Sequence, residues 1–110
     1  MFFDEHIEPA FGQILDGFVC DSVAKLGLQG LSNGALLRWL SEAGYDVFLT
    51  KDKGVPFQNS LKKIGIAAVI LRGMGELASK FAQSPEELIH ALQTVPRGEH
   101  VFVSVPKPAS

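Results

Sequence analysis

Residues 66–71 limit the possible folds of this chain more than any other segment, because they form an unbroken apolar run, Ile-Ala-Ala-Val-Ile-Leu. A strand with one solvent-facing side alternates apolar and polar residues, whereas a strand buried on both faces gives a continuous apolar run. Helices bury both faces of the sheet in α/β proteins. The run therefore predicts a mainly parallel central sheet with helices on both faces.

The segments around this run alternate between strand and helix patterns. Further strands are predicted at residues 2–3, 18–23, 46–50 and 101–105. Apolar residues recur with helical spacing from Ile7, Ser32 is placed to cap a second helix, and a short helix is predicted at 57–64. Residues 84–87, Ser-Pro-Glu-Glu, have the pattern of a capping box. This alternation predicts right-handed βαβ units and a sheet of about five strands.

The length of 110 residues fits one domain, which we predict to span residues 1–105, with a flexible tail at 106–110. No apolar stretch approaches the roughly 18 residues of a membrane span, and the first residues lack the pattern of a signal peptide. A lone Cys20 cannot form an internal disulfide, so we expect a cytoplasmic protein. With a net charge of −2, a nucleic-acid partner would have to bind a local basic patch.

Two acidic residues closely follow predicted strands. Asp4 directly follows the first strand, and Asp52 lies two residues past the third, with the Thr50 hydroxyl beside them. Because parallel strands end on the same side, the two carboxylates converge if their strands are neighbours. Paired carboxylates suit Mg²⁺ or Mn²⁺, which prefer oxygen ligands and can activate water against a phosphodiester. The structural alternatives are that Asp4 caps the first helix and that Asp52 belongs to a polar turn.

Basic residues near the strand ends suggest a phosphate-binding rim. The candidates are Lys51, Lys53, Lys62, Lys63 and Arg72. The alternative interpretation is a solvated charged face without a ligand. The sequence contains no Walker motif and no CxxC pair, so other common phosphate and metal sites have no support.

Three large apolar residues lie outside the predicted core. They are Trp39, Met74 and Phe81. An exposed patch of such side chains is typical of a protein interface, so the sequence predicts a homodimer.

Five segments that follow one another along residues 1–105 resemble a known family. They are FFDEH at 2–6, GLQGLSNGALL at 27–37, DVFLTKD at 46–52, QNSL at 58–61 and GEHVFV at 98–103. They resemble segments of bacterial PIN-like domains. The first three are similar to the opening strand, the Gly-containing loop with its helix start, and the strand-Thr-x-Asp signature of that family. The last two are similar to its Gln-Asn-Leu helix and its closing strand. These are small nuclease-fold proteins often encoded as toxins. The resemblance implies a PIN-like α/β fold.

The resemblance also implies a site and partners. PIN-like domains hold Mg²⁺ or Mn²⁺ with an acidic cluster and cleave RNA, and Asp4 and Asp52 match two catalytic, metal-binding positions of that cluster. Glu5 is implied as a further metal ligand. Asn33 is, like Glu5, a candidate secondary oxygen ligand. Together with the residues placed near the strand ends, the candidate substrate-binding residues are Thr50, Asn33, Lys51, Lys53 and Arg72. An antitoxin protein is the partner expected for a domain of the toxin type.

Two positions depart from the family pattern. Ala35 stands where relatives often carry Glu, and Gly54 stands where they often carry Asp or Asn. Fewer carboxylates neutralise a divalent ion less well. Two functions therefore stay open: a metal-dependent ribonuclease with an incomplete acidic site, or a non-catalytic PIN-like module that binds RNA or a partner protein.

Overall fold

The computed structural model describes residues 1–106, so most of the expected tail at 106–110 lies outside the described residues. Strands and helices alternate along the chain. The strands are β1 (Phe2–Phe3), β2 (Asp21–Ser22), β3 (Val47–Thr50), β4 (Ala67–Arg72) and β5 (His100–Ser104). The helices are α1 (Phe11–Ile14), α2 (Val23–Leu26), α3 (Asn33–Glu42), α4 (Val55–Gln58), α5 (Leu61–Ile64), α6 (Leu77–Gln83) and α7 (Glu86–Thr94).

The five strands form one sheet in the order β2-β1-β3-β4-β5, and every neighbouring pair is parallel. Thr50 of β3 lies opposite Ile70 of β4, which in turn lies opposite Phe102 of β5. The apolar run at 66–71 supplies β4, which has neighbours on both sides. The predicted parallel sheet of about five strands is confirmed.

Helices cover both faces of the sheet, as predicted. Helices α1, α6 and α7 cover the face that carries Phe3, Leu49 and Val69, which we call the α1 face. Helices α2 to α5 cover the face that carries Phe2 and Phe48, which we call the α3 face. Each face has its own apolar core because neighbouring residues of a strand point to opposite sides.

The connections between strands do not all have the same hand. The step from β3 to β4 crosses the α3 face, whereas the step from β4 to β5 moves in the same direction along the sheet but crosses the α1 face. These two crossovers therefore have opposite hands, although a single right hand is the general rule and was the expectation here. As a consequence, no helix follows β4 onto the α3 face, and the α3 face of β5 stays partly exposed.

Several local predictions were wrong about where elements begin. The strand expected at 18–23 is reduced to Asp21–Ser22, because the Ser22 hydroxyl accepts a hydrogen bond from Lys25 N and starts α2. The helix expected at 57–64 is two single turns, with Ser60 capping the second. The capping box at 84–87 does not form, since the Ser84 hydroxyl donates to the Glu86 carboxylate and Pro85 occupies the N-cap position without a side-chain bond.

Helix α6 was not predicted, and its formation changes the surface. Phe81 lies on α6 and is only 1% exposed, because its ring packs against Phe11 with centroids 5.9 Å apart. Phe81 therefore cannot belong to an exposed apolar patch. Met74 is 86% exposed and Trp39 is 37% exposed, as expected of surface residues. Within residues 1–106, every helix is too short or too polar to cross a membrane.

Candidate functional site

Asp4 and Asp52 lie at the carboxyl ends of β1 and β3, which are neighbours in the sheet. Both contact Thr50, the last residue of β3. The Thr50 hydroxyl donates to Asp4 Oδ2 over 2.7 Å and accepts from Asp52 N over 3.0 Å. The structure therefore brings together the three residues that the sequence placed at this end of the sheet.

Thr50 is completely buried, which explains why its hydroxyl needs both partners. A buried hydroxyl without partners costs free energy. The bond to Asp4 joins the ends of β1 and β3, and the bond from Asp52 N holds the turn that follows β3. Asp4 Oδ1 in turn accepts from Glu5 N over 2.8 Å. Asp4 does not cap α1, whose N-cap position is Ala10 and has no side-chain bond.

Asp52 is held from two further directions. Asp52 Oδ1 accepts from Gly54 N over 2.9 Å, and Asp52 Oδ2 accepts from Asn33 Nδ2 over 3.0 Å. The first bond closes a polar turn, which was the structural alternative to a metal-binding role for Asp52. The second joins Asn33, the first residue of α3, to the site. Ser32 fixes the start of this helix, because its hydroxyl accepts a hydrogen bond from Ala35 N. Asp4, Asn33, Thr50 and Asp52 form one connected group, which we call the carboxylate site.

The carboxylate site occupies the switch point of the sheet. The chain leaves β1 towards β2 over the α1 face and leaves β3 towards β4 over the α3 face. Two neighbouring strands whose connections diverge in this way leave a crevice at their carboxyl ends, and ligands of open α/β sheets bind there.

The oxygens of the carboxylate site suit a hard divalent cation. Each carboxylate oxygen accepts one hydrogen bond, and a carboxylate has about four acceptor positions, so about two stay free on Asp4 and on Asp52. In residues 1–106, neither carboxylate has a Lys, Arg or His within ion-pairing distance. Two uncompensated carboxylates fit Mg²⁺ or Mn²⁺, which commonly use one or two carboxylates plus waters and substrate phosphates.

Glu5 does not join the two aspartates. Its side chain is exposed, and its carboxylate lies 3.7 Å from His6 Nε2. Across the part of the chain that the structure describes, no three His, Cys, Asp or Glu side chains are grouped so that they could hold a metal ion. Of the three predicted metal ligands, Asp4 and Asp52 are the two that Thr50 links.

Lys51 is engaged by a third carboxylate, that of Glu8. Lys51 Nζ lies 3.3 Å from Glu8 Oε1, which also accepts from Leu77 N over 3.3 Å, while Glu8 Oε2 accepts from Ala78 N. Desolvation raises the pKa of Glu8, but these backbone hydrogen bonds and Lys51 lower it, and the net pKa is below the ordinary value. Glu8 thus caps α6, and Lys51 is tied to it instead of being free for a phosphate.

The remaining basic candidates divide between the two ends of the sheet. Lys53 is exposed in the turn after Asp52. Arg72 ends β4, and its guanidinium lies 4.1 Å from the centre of the Phe102 ring. Lys62 and Lys63 lie at the opposite end, since a Cβ on Gly98, which precedes β5, would come within 3.1 Å of Lys62 Cα. The predicted rim was therefore wrong for Lys62 and Lys63.

Aromatic residues near Arg72 were missed from the sequence. Phe57 of α4 lies close to His100 and Phe102 of β5, with ring centroids 5.8 and 6.4 Å away. The alternation of β5 puts His100 and Phe102 on the same face, and this could have been read from the sequence. Phe57 comes from another element, and nothing local indicates its position.

Surface cavities do not single out the carboxylate site. A cavity of about 260 Å³ lies beside Asp4, between α1 and β2, and also borders Glu5 and Cys20. Larger cavities of about 450 and 480 Å³ lie between α3 and α5 and between α1 and α6. The carboxylate site is therefore distinguished by the chemistry of its oxygens and by its place in the sheet.

Comparison with protein-family models, with curated proteins and with solved structures gave no match. Membership of the PIN-like family therefore stays a prediction from the sequence motifs.

Proposed function

We propose that this chain is a PIN-like domain that holds one Mg²⁺ or Mn²⁺ ion between Asp4 and Asp52 and cleaves RNA slowly. One observation carries the proposal: at the switch point of a parallel sheet, the buried Thr50 hydroxyl joins the Asp4 carboxylate to the backbone N–H of Asp52, and neither aspartate has a cationic partner within residues 1–106. A purely structural turn accounts for the bond between Asp52 and Gly54. It does not account for the contacts of Asp4 and Asn33 with the same group.

Each residue has a distinct part in this proposal. Asp4 and Asp52 would bind the ion through their free oxygen lone pairs. Thr50 and Asn33 orient the two carboxylates, because their hydrogen bonds fix which oxygens face the crevice. A divalent ion bound there would lower the pKa of water and offset the charge of the phosphodiester transition state. Lys53 and Arg72 add positive charge beside the crevice for the substrate phosphates.

The slow rate follows from the two missing acids. Ala35 lies in the first turn of α3, two residues after Asn33, and Gly54 donates to Asp52. Carboxylates at these two positions would add negative charge where the ion binds. A site with two carboxylates neutralises the ion less well and holds it less rigidly than a fuller acidic cluster does.

The test is metal-dependent cleavage of single-stranded RNA, with Mn²⁺ binding measured by calorimetry on the same samples. We expect weak Mn²⁺ binding and slow cleavage that stops on chelation and in Asp4→Asn. Asp16→Asn is the matched control, because Asp16 is an exposed aspartate in the turn after α1. Cleavage that survives Asp4→Asn, or that needs no metal, would refute the assignment.

A non-catalytic PIN-like module is the second candidate. The observation in its favour is that the group of three metal-holding side chains typical of a full site does not occur within residues 1–106. This candidate predicts RNA binding with no cleavage at any Mn²⁺ concentration. The same assay therefore separates the two functions.

The cellular setting is part of the proposal. We place the protein in the cytoplasm, where RNA and Mg²⁺ are available, as the toxin of a toxin–antitoxin pair with a protein antitoxin. A homodimer is also proposed, although Phe81 is buried and leaves only Trp39 and Met74 of the original patch. Light scattering on the purified protein, with and without a co-expressed antitoxin, tests both assemblies.

A further inference from the structure

A group of aromatic rings and positive charge, separate from the four residues of the carboxylate site, lies on the α3 face where α4, β4 and β5 meet. The group consists of Phe57, Arg72, His100 and Phe102, and we call it the aromatic surface. His100 is exposed, Phe102 is half-buried and Phe57 is 75% exposed. Exposed aromatic side chains that contact one another are unusual on a small protein surface, because burying them would stabilise the fold.

The rings are held in a defined arrangement. Phe57 and Phe102 are nearly parallel, with an angle of 23° and centroids 6.4 Å apart, while His100 meets both edge-on. The Arg72 guanidinium lies over the Phe102 ring at 4.1 Å. A guanidinium held over an aromatic ring in this way is itself a flat surface. A base can therefore stack on the guanidinium of Arg72.

The aromatic surface is exposed because of the crossover that leads into β5. Helices α6 and α7 cover the other face, where Val103 is buried. On the α3 face, α4 contacts Phe102 through the ring of Phe57, which is itself 75% exposed, so Phe102 stays half-buried. The exposure is therefore built into the strand connections and does not result from a disordered loop.

The aromatic surface lies beside the carboxylate site on the same face of the sheet. Phe102 is in register with Ile70, which is in register with Thr50, so Phe102 lies two strand spacings, about 10 Å, from Thr50. Phe57 belongs to α4, which begins three residues after Asp52. A polymer that places a phosphodiester at the carboxylates can thus continue directly across these rings.

We propose that the aromatic surface binds single-stranded RNA by stacking bases on Phe57 and on the Arg72–Phe102 pair. Stacking platforms that combine aromatic rings with positive charge are the usual way in which proteins hold unpaired bases, since every base has a flat π-face. Arg72 supplies the charge that an anionic chain needs, which an apolar protein partner would not use. The inference rests on the proposed function only for the choice of RNA as the ligand.

The experiment measures the binding of a fluorescein-labelled single-stranded oligoribonucleotide of about 12 nucleotides. Fluorescence anisotropy in EDTA reports binding without metal and without cleavage. Loss of one stacked base typically weakens binding about 5- to 150-fold, and we expect Phe57→Ala and Phe102→Leu to fall in this range. Phe57→Trp should retain binding, and a duplex of the same sequence should bind more weakly because its bases are already stacked.

Matched controls separate stacking from general effects. Val19→Ala removes another highly exposed apolar side chain, at the far end of the sheet, and should leave binding unchanged. Arg97→Gln is the control for Arg72→Gln, because it removes an exposed arginine from the opposite end of the sheet. Arg72→Gln should weaken RNA binding more than Arg97→Gln does. Circular dichroism confirms that each variant is folded, and Phe57→Ala is the safest variant because Phe57 contributes little to the core.

The outcomes distinguish this inference from the proposed function. Loss of binding in Phe57→Ala, with or without catalytic activity, supports the aromatic surface. Metal-dependent cleavage with RNA binding unaffected by Phe57→Ala would overturn it while leaving the catalytic proposal intact. Equal affinity for duplex and single-stranded RNA would also overturn the inference. So would a Phe57→Ala variant whose oligomeric state changes while its RNA affinity does not.

Discussion

Glu8 and the pair Asp4–Asp52 are carboxylates in neighbouring parts of the same edge of the sheet, and their surroundings differ sharply. Glu8 accepts two backbone hydrogen bonds from the start of α6 and pairs with Lys51, so its charge is compensated within the protein. Asp4 and Asp52 accept hydrogen bonds from neutral donors, and in the described chain neither has an ion pair.

The difference shows how similar side chains serve different purposes. A carboxylate whose charge is balanced inside the protein stabilises the elements that it joins. A carboxylate that is oriented but not balanced keeps a net negative charge, which attracts a cation from solution. We therefore expect Glu8 to govern stability and Asp4 and Asp52 to govern metal binding.

The largest expected effect concerns metal affinity. Asp52→Asn removes one of two charged ligands, and a charge-assisted contact is worth about 1.5–3 kcal/mol, so Mn²⁺ affinity should fall about 10- to 150-fold. Unfolding in urea should change little, because Asn at position 52 can still accept from Gly54 N. Calorimetry and urea titration measure the two quantities. A large loss of stability with unchanged Mn²⁺ affinity would make Asp52 a structural residue like Glu8.

Adding the missing acids should act in the opposite direction. The double variant Ala35→Glu, Gly54→Asp should raise Mn²⁺ affinity about tenfold or more and speed up RNA cleavage. Both positions tolerate the change. A Cβ on Gly54 would meet the Gln58 side chain at 3.1 Å and Asp52 Oδ1 at 3.3 Å; Gln58 is exposed and can move, and the Asp52 carboxylate has to shift by a few tenths of an ångström. Glu at position 35 would also complete a capping box with Ser32.

This prediction has its own control. Glu42→Asp on α3 changes an exposed acid without adding charge at the site and should bind Mn²⁺ as the natural protein does. Unaltered affinity in the double variant would mean that the ion, if bound, lies elsewhere.

A smaller effect is expected when Glu8 is replaced. Glu8→Ala leaves the first amides of α6 without their cap, and loss of an N-cap acceptor costs about 0.5–2 kcal/mol. Urea unfolding measures this loss, with Glu5→Ala as the control because Glu5 is exposed at the same end and its carboxylate lies 3.7 Å from His6 Nε2, away from α6. Mn²⁺ affinity should stay within about twofold, given the modest worth of a partly exposed ion pair. A collapse of Mn²⁺ affinity would place Glu8 in the metal site.

The smallest expected effect is the pH dependence of the stability that Glu8 contributes. The pKa of Glu8 in the folded protein lies below its ordinary value of 4.5, so the charged form stabilises the fold. That contribution is fully present above pH 4.5 and is lost as the pH falls through the lowered pKa of the folded state. The stability difference between the natural protein and Glu8→Gln should therefore shrink under acid conditions. A difference that is constant from neutral to acid pH would show that the charge is not involved.

The sequence by itself determined the features that depend on near neighbours along the chain. The apolar run at 66–71 predicted a strand buried on both faces, and Ser32 predicted the start of α3 because a cap bonds within one turn. Asp4 and Asp52 were placed correctly at strand ends because parallel strands have a common direction. Their joint contact with Thr50 needed only the further assumption that β1 and β3 are neighbours.

The tertiary structure alone decided what depends on contacts distant in sequence. Glu8 caps a helix that begins 69 residues later in the chain, so α6 has no local signal at its start and Phe81 looked exposed. The pairing of β5 with β4 brings Phe102 against Phe57 of α4, and no periodicity records which strands are neighbours or which face a connection crosses. Local patterns reflect energies within a turn or a strand, whereas these contacts depend on the order of strands and on the faces that the helices cover.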